Sequence, residues 1–404
     1  MRCDYDLIIV GGGLAGNCLA LALKDSGLRI ALIEAETPAE REHAPIGQRA
    51  LALAYGSTVM LAALGVWETI KKTATPIKHI HVSDQGHFGK TRLSADKEGV
   101  DALGYVITAR HIESHVSEQA SKTELTTYCP ARVVGLMSSD EAAYVNLNVD
   151  QQSVNLTAKL VIGADGGQST VRQLLAIEQK TTDYFQKAIV TTVRSSLGHN
   201  NVAYERFTAE GPLAVLPATG NHSSVVWTRT TEHADDLIQR SDADFLAELQ
   251  NCFGFRMGSL QLAGPRFAFP VNLIRAEKMV QGRAIIVGNA AHQLHPVAGQ
   301  GFNLGLRDVL QLAEMLIEQV ENEGDIGEPA FLDSYAKARQ IDHNKVINFT
   351  DGLVRVFSND WLPVTISRNT ALILLDHVNS VKSLVTQHAM GLGGRLQRLG
   401  KRRY

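Results

Sequence analysis

Three glycines near the N-terminus have the spacing that suits binding of a dinucleotide phosphate. Gly11, Gly13 and Gly16 fit the pattern G-x-G-x-x-G. The first glycine permits a tight turn, the second lets a pyrophosphate approach the backbone, and the third lets a helix pack closely on a strand. Glu34 follows at the distance where an acid can accept hydrogen bonds from the hydroxyls of an adenosine ribose. The pattern predicts a site for a cofactor that contains ADP.

The surrounding residues predict the elements that hold these glycines. Residues 7–10 are an apolar run typical of a buried parallel strand, and residues 14–23 have helical spacing up to the break at Gly27. Residues 30–33 form a second apolar run, which completes a β-α-β unit. Its helix N-terminus directs unpaired N–H groups at the phosphates. The unit does not distinguish NAD from FAD, but the sequence contains no second such unit, so we expect one permanently bound dinucleotide.

A second strand-to-turn segment follows a predicted strand at residues 160–162. The strand leads into Asp165 and Gly166, with Ser169 and Arg172 at the start of a predicted helix. Ser169 has the side chain of a good helix N-cap, and Asp165 stands at the carboxyl end of a strand, where α/β sheets bind ligands. An ordinary capped turn explains the same residues, so this segment alone leaves both interpretations open.

A third segment, residues 288–308, places glycines, histidines and a proline after a predicted strand at residues 284–287. A long amphipathic helix is predicted from about Phe302. The backbone N–H groups of residues 299–301 and the positive end of this helix would face a ligand that develops negative charge. We therefore expect the loop to stabilise an anion.

His292 and His295 in this segment raise the question of a metal. They are three positions apart, Pro296 follows the second, and no cysteine or further histidine lies nearby. This arrangement fits no zinc pattern. No metal is predicted, and we expect the histidines to support the loop or to hydrogen-bond on the substrate side.

The composition narrows the class of protein. The chain has 404 residues, of which 45% are hydrophobic, and a formal net charge of −3. This predicts a globular protein of more than one domain and argues against a general nucleic-acid binder. Four widely separated cysteines and the absence of a signal peptide predict a reduced, cytoplasmic location.

The last ten residues are basic. Arg395, Arg398, Lys401, Arg402 and Arg403 supply five cations with no acid among them. Peripheral contact with an anionic membrane or an acidic partner is one interpretation, and a solvated terminus is the other. The longest apolar run near the C-terminus is too short to span a bilayer.

Residues 181–271 differ in pattern from their flanks. Short runs alternate apolar and polar residues between glycines and prolines, which indicates an antiparallel sheet with one solvated face. As a roof over the cofactor, this sheet would offer Leu216 and Pro217 as a substrate wall, with ordinary sheet core as the alternative. We predict an α/β fold with a Rossmann-like cofactor domain (1–180 and 272–330), an inserted antiparallel β-sheet substrate domain (181–271) and a C-terminal helical region (331–404).

Together these segments resemble the class A FAD-dependent aromatic monooxygenases, which share the fold of para-hydroxybenzoate hydroxylase, over essentially the whole chain. HPVAGQGFNLGLRD, residues 295–308, is similar to the signature of the ubiquinone-biosynthesis hydroxylases, and GNAAHQLHP is similar to the 2-polyprenyl-6-methoxyphenol hydroxylase subgroup. Asn289 departs from the wider family, where aspartate is usual. Because an amide can still hydrogen-bond a ribityl hydroxyl, we expect FAD binding to persist.

The resemblance assigns roles to single residues. Arg49 and Arg110 would lie near the flavin diphosphate and ribityl chain, and Val134 would lie by the adenine. His295 and Pro296 are expected at the reacting centre, with His295 polarising a phenol towards phenolate. The full set expected to bind FAD is Gly11, Gly13, Leu14, Ala15, Gly16, Glu34, Ala35, Arg49, Arg110, Val134, Asp165, Gly166, Gly288, Asn289, Pro296, Gly299, Gln300, Gly301 and Asn303.

The resemblance also implies an activity. Tightly bound FAD would be reduced transiently by NAD(P)H, and O₂ would add at the flavin C4a to give a hydroperoxide that oxygenates the ring of a polyprenyl phenol in ubiquinone biosynthesis. The substrate would be of the 2-polyprenyl-6-methoxyphenol type, reached by peripheral contact with the inner membrane face. Two alternatives stay open, a flavin-dependent lipid reductase or dehydrogenase and a non-catalytic FAD-binding member of a quinone-biosynthesis complex. The oligomeric state is open as well.

Overall fold

The computed structural model describes residues 3–43, 47, 49–357, 359 and 361–392. The basic tail predicted to contact a membrane or partner, residues 395–404, lies outside these residues. The helices are α1 (Leu14–Ala22), α2 (Pro38–His43), α3 (Tyr55–Ala63), α4 (Trp67–Ile70), α5 (Ala95–Glu98), α6 (Ala109–Ala120), α7 (Thr170–Leu174), α8 (Thr231–Gln239), α9 (Asp242–Phe253), α10 (Gln300–Glu321), α11 (Pro329–Phe357), α12 (Leu362–His377) and α13 (Asn379–Ala389).

The strands belong to three sheets. They are β1 (Tyr5–Val10), β2 (Ile30–Ile33), β3 (Ala50–Ala54), β4 (Thr75–Ile77), β5 (His79–Asp84), β6 (Lys90–Ser94), β7 (Gly104–Thr108), β8 (Leu125–Tyr128), β9 (Arg132–Ser138), β10 (Ala143–Val149), β11 (Gln152–Gly163), β12 (Gln179–Ser195), β13 (Val202–Thr208), β14 (Gly211–Pro217), β15 (His222–Thr230), β16 (Leu260–Leu262), β17 (Phe267–Ala276), β18 (Ala284–Ile286) and β19 (His292–Gln293).

The first sheet carries the glycine turns. Its order is β8-β2-β1-β11-β10-β9, and β18 pairs with β11. β1, β11 and β18 are mutually parallel, so their carboxyl ends, each followed by one of the three predicted segments, lie at the same edge. Apolar side chains fill both faces, with α1, α6 and α10 packed on one of them. The predicted β-α-β unit is confirmed.

Several element boundaries differ from the sequence prediction. β11 is much longer than residues 160–162, because its first half pairs antiparallel with β10. β18 ends at Ile286, before Gly288 turns the chain with φ +59. α10 begins at Gln300 instead of about Phe302, because Gly299 precedes it in a left-handed conformation that starts the helix early.

The second sheet is almost entirely antiparallel. Its order is β19-β17-β12-β15-β14-β13-β5-β6, with β16 paired to β12, and only β13 and β5 run parallel. α8 and α9 cover one face around a core that includes Trp227 and Phe245. The sheet draws β5 and β6 from residues 79–94, outside the predicted insert, and the domain boundaries stay a prediction.

The third sheet, β3-β7-β4, lies next to the start of α10. After α10 the chain is helical, with α11 the longest helix and α12 and α13 following it. The predicted α/β fold with an antiparallel sheet and C-terminal helices is confirmed. Among the described residues, no helix combines the length and the apolar character needed to cross a membrane.

Candidate cofactor and active site

The first loop uses its three glycines in three ways. Gly11 has φ +106, and a Cβ there would lie 2.5 Å from the Ala164 carbonyl oxygen, so the turn beside β11 leaves no room for a side chain. A Cβ on Gly16 would overlap the Gly11 carbonyl oxygen, so α1 can pack against the turn only with glycine there. A Cβ on Gly13 would meet no atom within 4 Å. Gly13 therefore borders open space at the N-terminus of α1, which suits a phosphate.

Glu34, which follows β2, is held in place by backbone donors. Its Oε2 accepts a hydrogen bond from Gly12 N–H at 2.6 Å, and its Oε1 accepts one from Glu36 N–H at 2.8 Å. Each oxygen retains acceptor capacity for a ribose hydroxyl. Arg41, which no sequence motif identified, donates from Nη1 to the Gly12 carbonyl oxygen at 2.7 Å. Its guanidinium therefore lies over the first loop beside Glu34.

The predicted adenine end is also assembled near Glu34. The Glu34 carbonyl oxygen accepts from Ala131 N–H at 2.7 Å, which holds the start of β9 against this turn. Val134 on β9 is 54% exposed, and Ala35 is half-buried. Both residues are available to contact a ligand from the protein surface.

Asp165 supplies a test of whether a ligand fits this edge of the sheet. Its Oδ2 accepts from Val171 N–H at 3.0 Å, but its Oδ1 is closed to solvent and has no partner among the described residues. A buried carboxylate oxygen without a donor is destabilising, so a hydroxyl donor is expected to complete it. The Asp165 Cα lies 2.8 Å from where a Gly11 Cβ would be, which places this oxygen beside the first loop. Gly166 follows with φ +82.

Arg172 links the second segment to the third. Ser169 caps α7 by accepting from Arg172 N–H at 3.0 Å, so the predicted N-cap is confirmed. The buried Arg172 guanidinium donates to the Gly167 and Ala290 carbonyl oxygens, each at 2.9 Å. The capped turn and the ligand site are therefore compatible interpretations of one structure.

Gly288 and Asn289 begin the third segment. Gly288 has φ +59, and a Cβ there would lie 3.5 Å from the Ala15 Cβ, so this turn borders the start of α1, where Leu14 is half-buried. Asn289 is exposed, and its side chain forms no hydrogen bond with any described residue. Its amide is free for a polar ligand such as a ribityl hydroxyl.

The loop before α10 is fixed against the third sheet. Gly299 has φ +61, and its Cβ would lie 2.9 Å from the Ala52 Cβ of β3. Its N–H donates to the Pro296 carbonyl oxygen at 3.3 Å, so it is used within the loop. Gln300 and Gly301 form the first turn of α10, and a Gly301 Cβ would meet nothing within 4 Å. The exposed Pro296 and this open first turn border the space predicted for the isoalloxazine.

Asn303 holds that loop in place. Its Oδ1 accepts from Ala54 N–H at 3.0 Å and from the Ser57 hydroxyl at 2.6 Å. Its Nδ2 donates to the carbonyl oxygens of Ala52 and Gly299, at 3.0 and 2.7 Å. The buried amide is therefore satisfied within the protein and positions the N-terminus of α10, and direct binding of FAD by Asn303 stays a prediction.

The segments that contain Arg49 and Arg110 meet at one end of the third sheet. Ala50 pairs with Thr108 across β3 and β7, and the Arg49 carbonyl oxygen accepts from Ala109 N–H at 2.9 Å. Arg49 is exposed just before β3, and Arg110 is half-buried in the first turn of α6. The structure therefore brings the backbones of two distant segments together. Binding of the flavin diphosphate by their arginines stays a prediction.

His295 is buried and engaged. Its Nδ1 accepts from Val297 N–H at 3.2 Å, its Nε2 lies 3.4 Å from the Gln186 Oε1, and its ring packs edge-on against Tyr184. Burial lowers the pKa of His295 to about 4, so the ring is neutral at physiological pH. The proposed action of His295 on a phenol remains a prediction, since these contacts also serve to shape the loop before Pro296.

Asp308 is the centre of a buried polar cluster. It is the last residue of the segment HPVAGQGFNLGLRD, but the sequence pattern predicts no role for it. It is fully buried, and its carboxylate lies 2.7 Å from the Nε atoms of Arg339 and 2.7 Å from the Nε2 atoms of His292 and His343. Gly288 N–H donates to it at 3.3 Å. Burial opposes ionisation, but His343, Arg339 and His292 hold the pKa of Asp308 well below its usual range.

The same cluster contains three groups that could ligate a metal. Ligand atoms of His292, Asp308 and His343 lie within 4.8 Å of one another. Arg339 occupies the same carboxylate and supplies the compensating positive charge. These hydrogen bonds satisfy the Asp308 carboxylate, while the buried Nδ1 of His292 has no partner among the described residues. The absence of a metal stays a prediction.

Leu216 and Pro217 lie at the end of β14 and diverge. Leu216 packs beside Ala203 and Val106, on the sheet face turned toward the third sheet. Because side chains alternate along a strand, Pro217 belongs to the opposite face, where it is buried. Only Leu216 is therefore on the side where a substrate wall is predicted.

Comparison with known proteins agrees with this geometry. The sequence profile of the FAD binding domain family matches residues 4–350. The ubiquinone hydroxylase UbiL of Rhodospirillum rubrum is 36% identical, over 96% of this chain and 89% of that protein. The mitochondrial ubiquinone biosynthesis monooxygenase COQ6 of Mus musculus is 28% identical, over 95% and 90%.

Solved structures share the fold. The p-nitrophenol 4-monooxygenase PnpA from Pseudomonas putida has a TM-score of 0.80 at 19% identity, covering 98% of this chain and 100% of that one. PqsL from Pseudomonas aeruginosa, a probable FAD-dependent monooxygenase, has a TM-score of 0.75 at 19% identity, covering 91% and 99%. With a family profile that spans most of its length and a cradle shaped for a dinucleotide, the chain belongs to the FAD binding domain family.

Proposed function

We propose that the protein is an FAD-dependent monooxygenase that hydroxylates the aromatic ring of a polyprenyl phenol in ubiquinone biosynthesis. The observation that carries the proposal is the convergence of three features along one sheet edge: the open turn at Gly13, the unpartnered Oδ1 of Asp165 and the N-terminus of α10. The relatives UbiL and COQ6, named for ubiquinone hydroxylation and biosynthesis, support the substrate class.

The residues of this chain have distinct tasks in that reaction. FAD, when bound and reduced by NAD(P)H, supplies the activation of O₂ and the transfer of one oxygen atom to the ring. The turn at Gly13 and the N-terminus of α1 hold the pyrophosphate, while Glu34 orients the ribose. Asp165 accepts a hydrogen bond from one of the remaining hydroxyls, and the amide of Asn289 can donate to or accept from another. The positive end of α10 stabilises negative charge on the ring system.

The second sheet completes the site from above. Its face toward the third sheet carries Leu216 and other apolar side chains, which exclude water from the reacting centre. An apolar wall also suits a phenol with a methoxy group and an isoprenoid tail. This supports a substrate of the 2-polyprenyl-6-methoxyphenol type.

Oxygen consumption tests the proposed function. The purified, FAD-loaded protein is supplied with NAD(P)H, isotopically labelled O₂ and a short-chain 2-prenyl-6-methoxyphenol. We expect substrate-dependent O₂ uptake and a product that carries one labelled oxygen atom. Turnover that continues without O₂ would identify a reductase instead, and a folded protein that binds no FAD would exclude both activities.

The C-terminal helices support peripheral contact with a membrane, the source from which a prenylated phenol would be drawn. α12 and α13 turn polar side chains toward the protein, including the buried Arg368, Asn369 and Lys382. Their exposed large apolar residues are Leu362, Ile366, Leu374, Val378, Val381 and Leu384, with Trp361 just before α12.

This exposed apolar face fits an anionic bilayer better than a neutral partner. The chain continues from α13 into a segment with five basic residues between positions 395 and 403. Cations attract anionic lipid head groups while the apolar side chains enter the interface. The proposed docking surface therefore combines apolar insertion with electrostatic attraction, the two interactions that stabilise peripheral membrane binding.

Vesicle sedimentation tests the docking surface. We expect the protein to sediment with vesicles of phosphatidylcholine and phosphatidylglycerol, and to be released by salt. The double substitution Leu374→Glu and Leu384→Glu should reduce binding several-fold, whereas Phe255→Glu, at an exposed apolar residue elsewhere, should not. Unchanged binding by the double variant would contradict the proposal. Concentration-dependent self-association that disappears in the double variant would assign the face to a second copy of the chain.

A further inference from the structure

A carboxyl group on the second sheet lies on the face turned toward the third sheet and the loop before α10. Glu205 lies in the middle of β13, and because strand side chains alternate, Ala203 and Phe207 share its face. Ala203 packs in a cluster with Val106 of the third sheet, and Phe207 packs in a cluster with Val297 of the loop before α10. Glu205 therefore lies between these two contacts, on the side turned toward that loop.

The side chains directly beside Glu205 in the sheet are apolar. In the sheet register it stands between Val82 of β5 and Ala214 of β14. Its polar neighbours in sequence, Tyr204 and Arg206, lie on the opposite face of the strand. Neither Val82 nor Ala214 has a side chain that can form a hydrogen bond with it. Asp84, two positions further along β5 on the same face, is already bound by Arg368 and Asn369.

Glu205 is also unpaired. The residue is half-buried, its Oε1 is closed to solvent, and neither carboxyl oxygen forms a hydrogen bond or ion pair with a described residue. Burial raises the pKa of Glu205 to about 7. An unpaired, desolvated carboxyl is destabilising, and such groups are concentrated where a ligand completes the bonding.

His295 is less suited to the same task. Its Nδ1 already accepts from Val297 N–H, and its Nε2 faces the Gln186 side chain. Both carboxyl oxygens of Glu205 are unpaired among the described residues, and Glu205 lies on the sheet face turned toward that loop. Glu205 on the second sheet is therefore better placed than His295 to accept a hydrogen bond from a substrate hydroxyl.

We propose that the carboxylate of Glu205 accepts a hydrogen bond from the hydroxyl of the phenol substrate. This inference rests on the proposed function and adds the residue that recognises the free hydroxyl. When the carboxylate accepts a hydrogen bond from the phenol O–H, electron density moves from the phenol oxygen into the aromatic ring. The ortho and para carbons then become more nucleophilic. It also makes the site select a phenol over the corresponding ether.

The test compares a phenol with its methyl ether. Dissociation constants of a short-chain 2-prenyl-6-methoxyphenol and its O-methyl ether are measured from the perturbation of FAD absorbance in the oxidised holoenzyme. We expect the wild-type protein to prefer the phenol by about 10-fold to 100-fold, as for a hydrogen bond to a charged group. Glu205→Leu should abolish this preference and still bind the ether, since the surroundings are apolar.

Two further variants sharpen the test. Glu205→Gln retains an acceptor without the charge, so it should keep part of the preference for the phenol but hydroxylate more slowly. Glu124→Gln, at an exposed position, should behave as the wild type. An equal phenol-to-ether ratio in the wild type and Glu205→Leu would overturn the role of Glu205 while leaving the hydroxylase intact. A wild-type protein that binds the phenol but never oxygenates it would overturn the proposed function instead.

Discussion

A methyl group has very different consequences at two glycines of the first loop. At Gly16 it would collide with the Gly11 carbonyl oxygen, whereas at Gly13 it would enter open space. The backbone oxygen cannot move without displacing β1, which is buried in the first sheet. The two positions therefore separate a packing requirement from a ligand requirement.

Gly16→Ala and Gly13→Ala test this separation. We expect Gly16→Ala to lower the free energy of unfolding by about 1 to 3 kcal/mol, because the turn and α1 must move apart. Gly13→Ala should unfold at nearly the wild-type denaturant concentration but bind FAD several-fold more weakly. Urea unfolding of the apoprotein and titration with FAD measure the two effects. Equal losses of stability in both variants would refute this assignment.

In the substrate-free protein, Glu205 is expected to make the free energy of unfolding depend on pH. Its pKa is raised from 4.5 to about 7, so the folded state binds the proton more tightly than the unfolded state between these values. The free energy of unfolding therefore falls as pH rises through this window and is level above it. Glu205→Gln, which cannot ionise, should gain on the order of 2 kcal/mol over the wild type at pH 8 and nothing at pH 4.

Urea unfolding of the substrate-free protein at both pH values measures this difference. Glu124→Gln serves as the control, because it makes the same replacement at an exposed position. A Glu205→Gln variant whose stability relative to the wild type is the same at pH 4 and pH 8 would show that the fold does not perturb this group.

At the scale of elements, Asp308 connects three parts of the chain. It lies on α10, binds Arg339 and His343 of α11, and accepts from Gly288 N–H and His292 of the cofactor loop. One carboxylate therefore fixes the turn beside the cofactor to two long helices. Removing its charge leaves the buried Arg339 guanidinium with the partly exposed Asp342 as its remaining counter-ion.

Asp308→Asn is expected to lower the free energy of unfolding by about 3 to 5 kcal/mol, the usual cost of breaking a buried ion pair on one side. FAD retention should fall as well, because the Gly288 turn loses an anchor. Asp342→Asn is the matched control, since Asp342 also binds Arg339 but is partly exposed. Urea unfolding and FAD content measure both effects, and equal losses in the two variants would argue against a special role for Asp308.

Local patterns and long-range pairing explain which elements the sequence predicts. The β-α-β unit and the Ser169 cap follow from residues a few positions apart, so both were predictable. The pairing that brings the segment of Arg49 to that of Arg110, and the register that turns Glu205 toward the loop before α10, depend on strands distant in sequence. Arg41 carries no motif at all. Its role depends on how α2 folds back over the first loop.

At the scale of the whole molecule, the C-terminal helices return to the earlier parts of the chain. Met390 accepts from Gly56 N–H at 2.7 Å, and Ser383 donates to Glu98 at 2.9 Å. Another such contact involves the buried Asp84 at the end of β5. Its carboxylate accepts hydrogen bonds from Arg368 and Asn369 of α12, at 2.8 and 2.9 Å. The exposed apolar face of α12 and α13 is therefore held at a fixed place by buried polar contacts.

Asp84→Asn should release this helical segment without disturbing the cofactor cradle. The substitution leaves the buried Arg368 cation without its partner, so α12 is expected to separate from the second sheet. Trypsin should then cleave at Arg368 and Lys382, which are buried in the native protein, several-fold faster than in the wild type. FAD content should stay close to wild type, because the residues of the cradle follow β1 and β11 and lie at the start of α10.

Arg92→Gln provides the comparison for this prediction. Arg92 pairs with Asp376 of the same helix, but its side chain is 64% exposed, and exposed ion pairs contribute little to stability. Its cleavage pattern should match that of the wild type. If Asp84→Asn lost FAD at the rate at which it is cleaved, the helices and the cradle would unfold as one unit. The membrane-docking face would then depend on cofactor binding, which vesicle sedimentation of the apoprotein would detect.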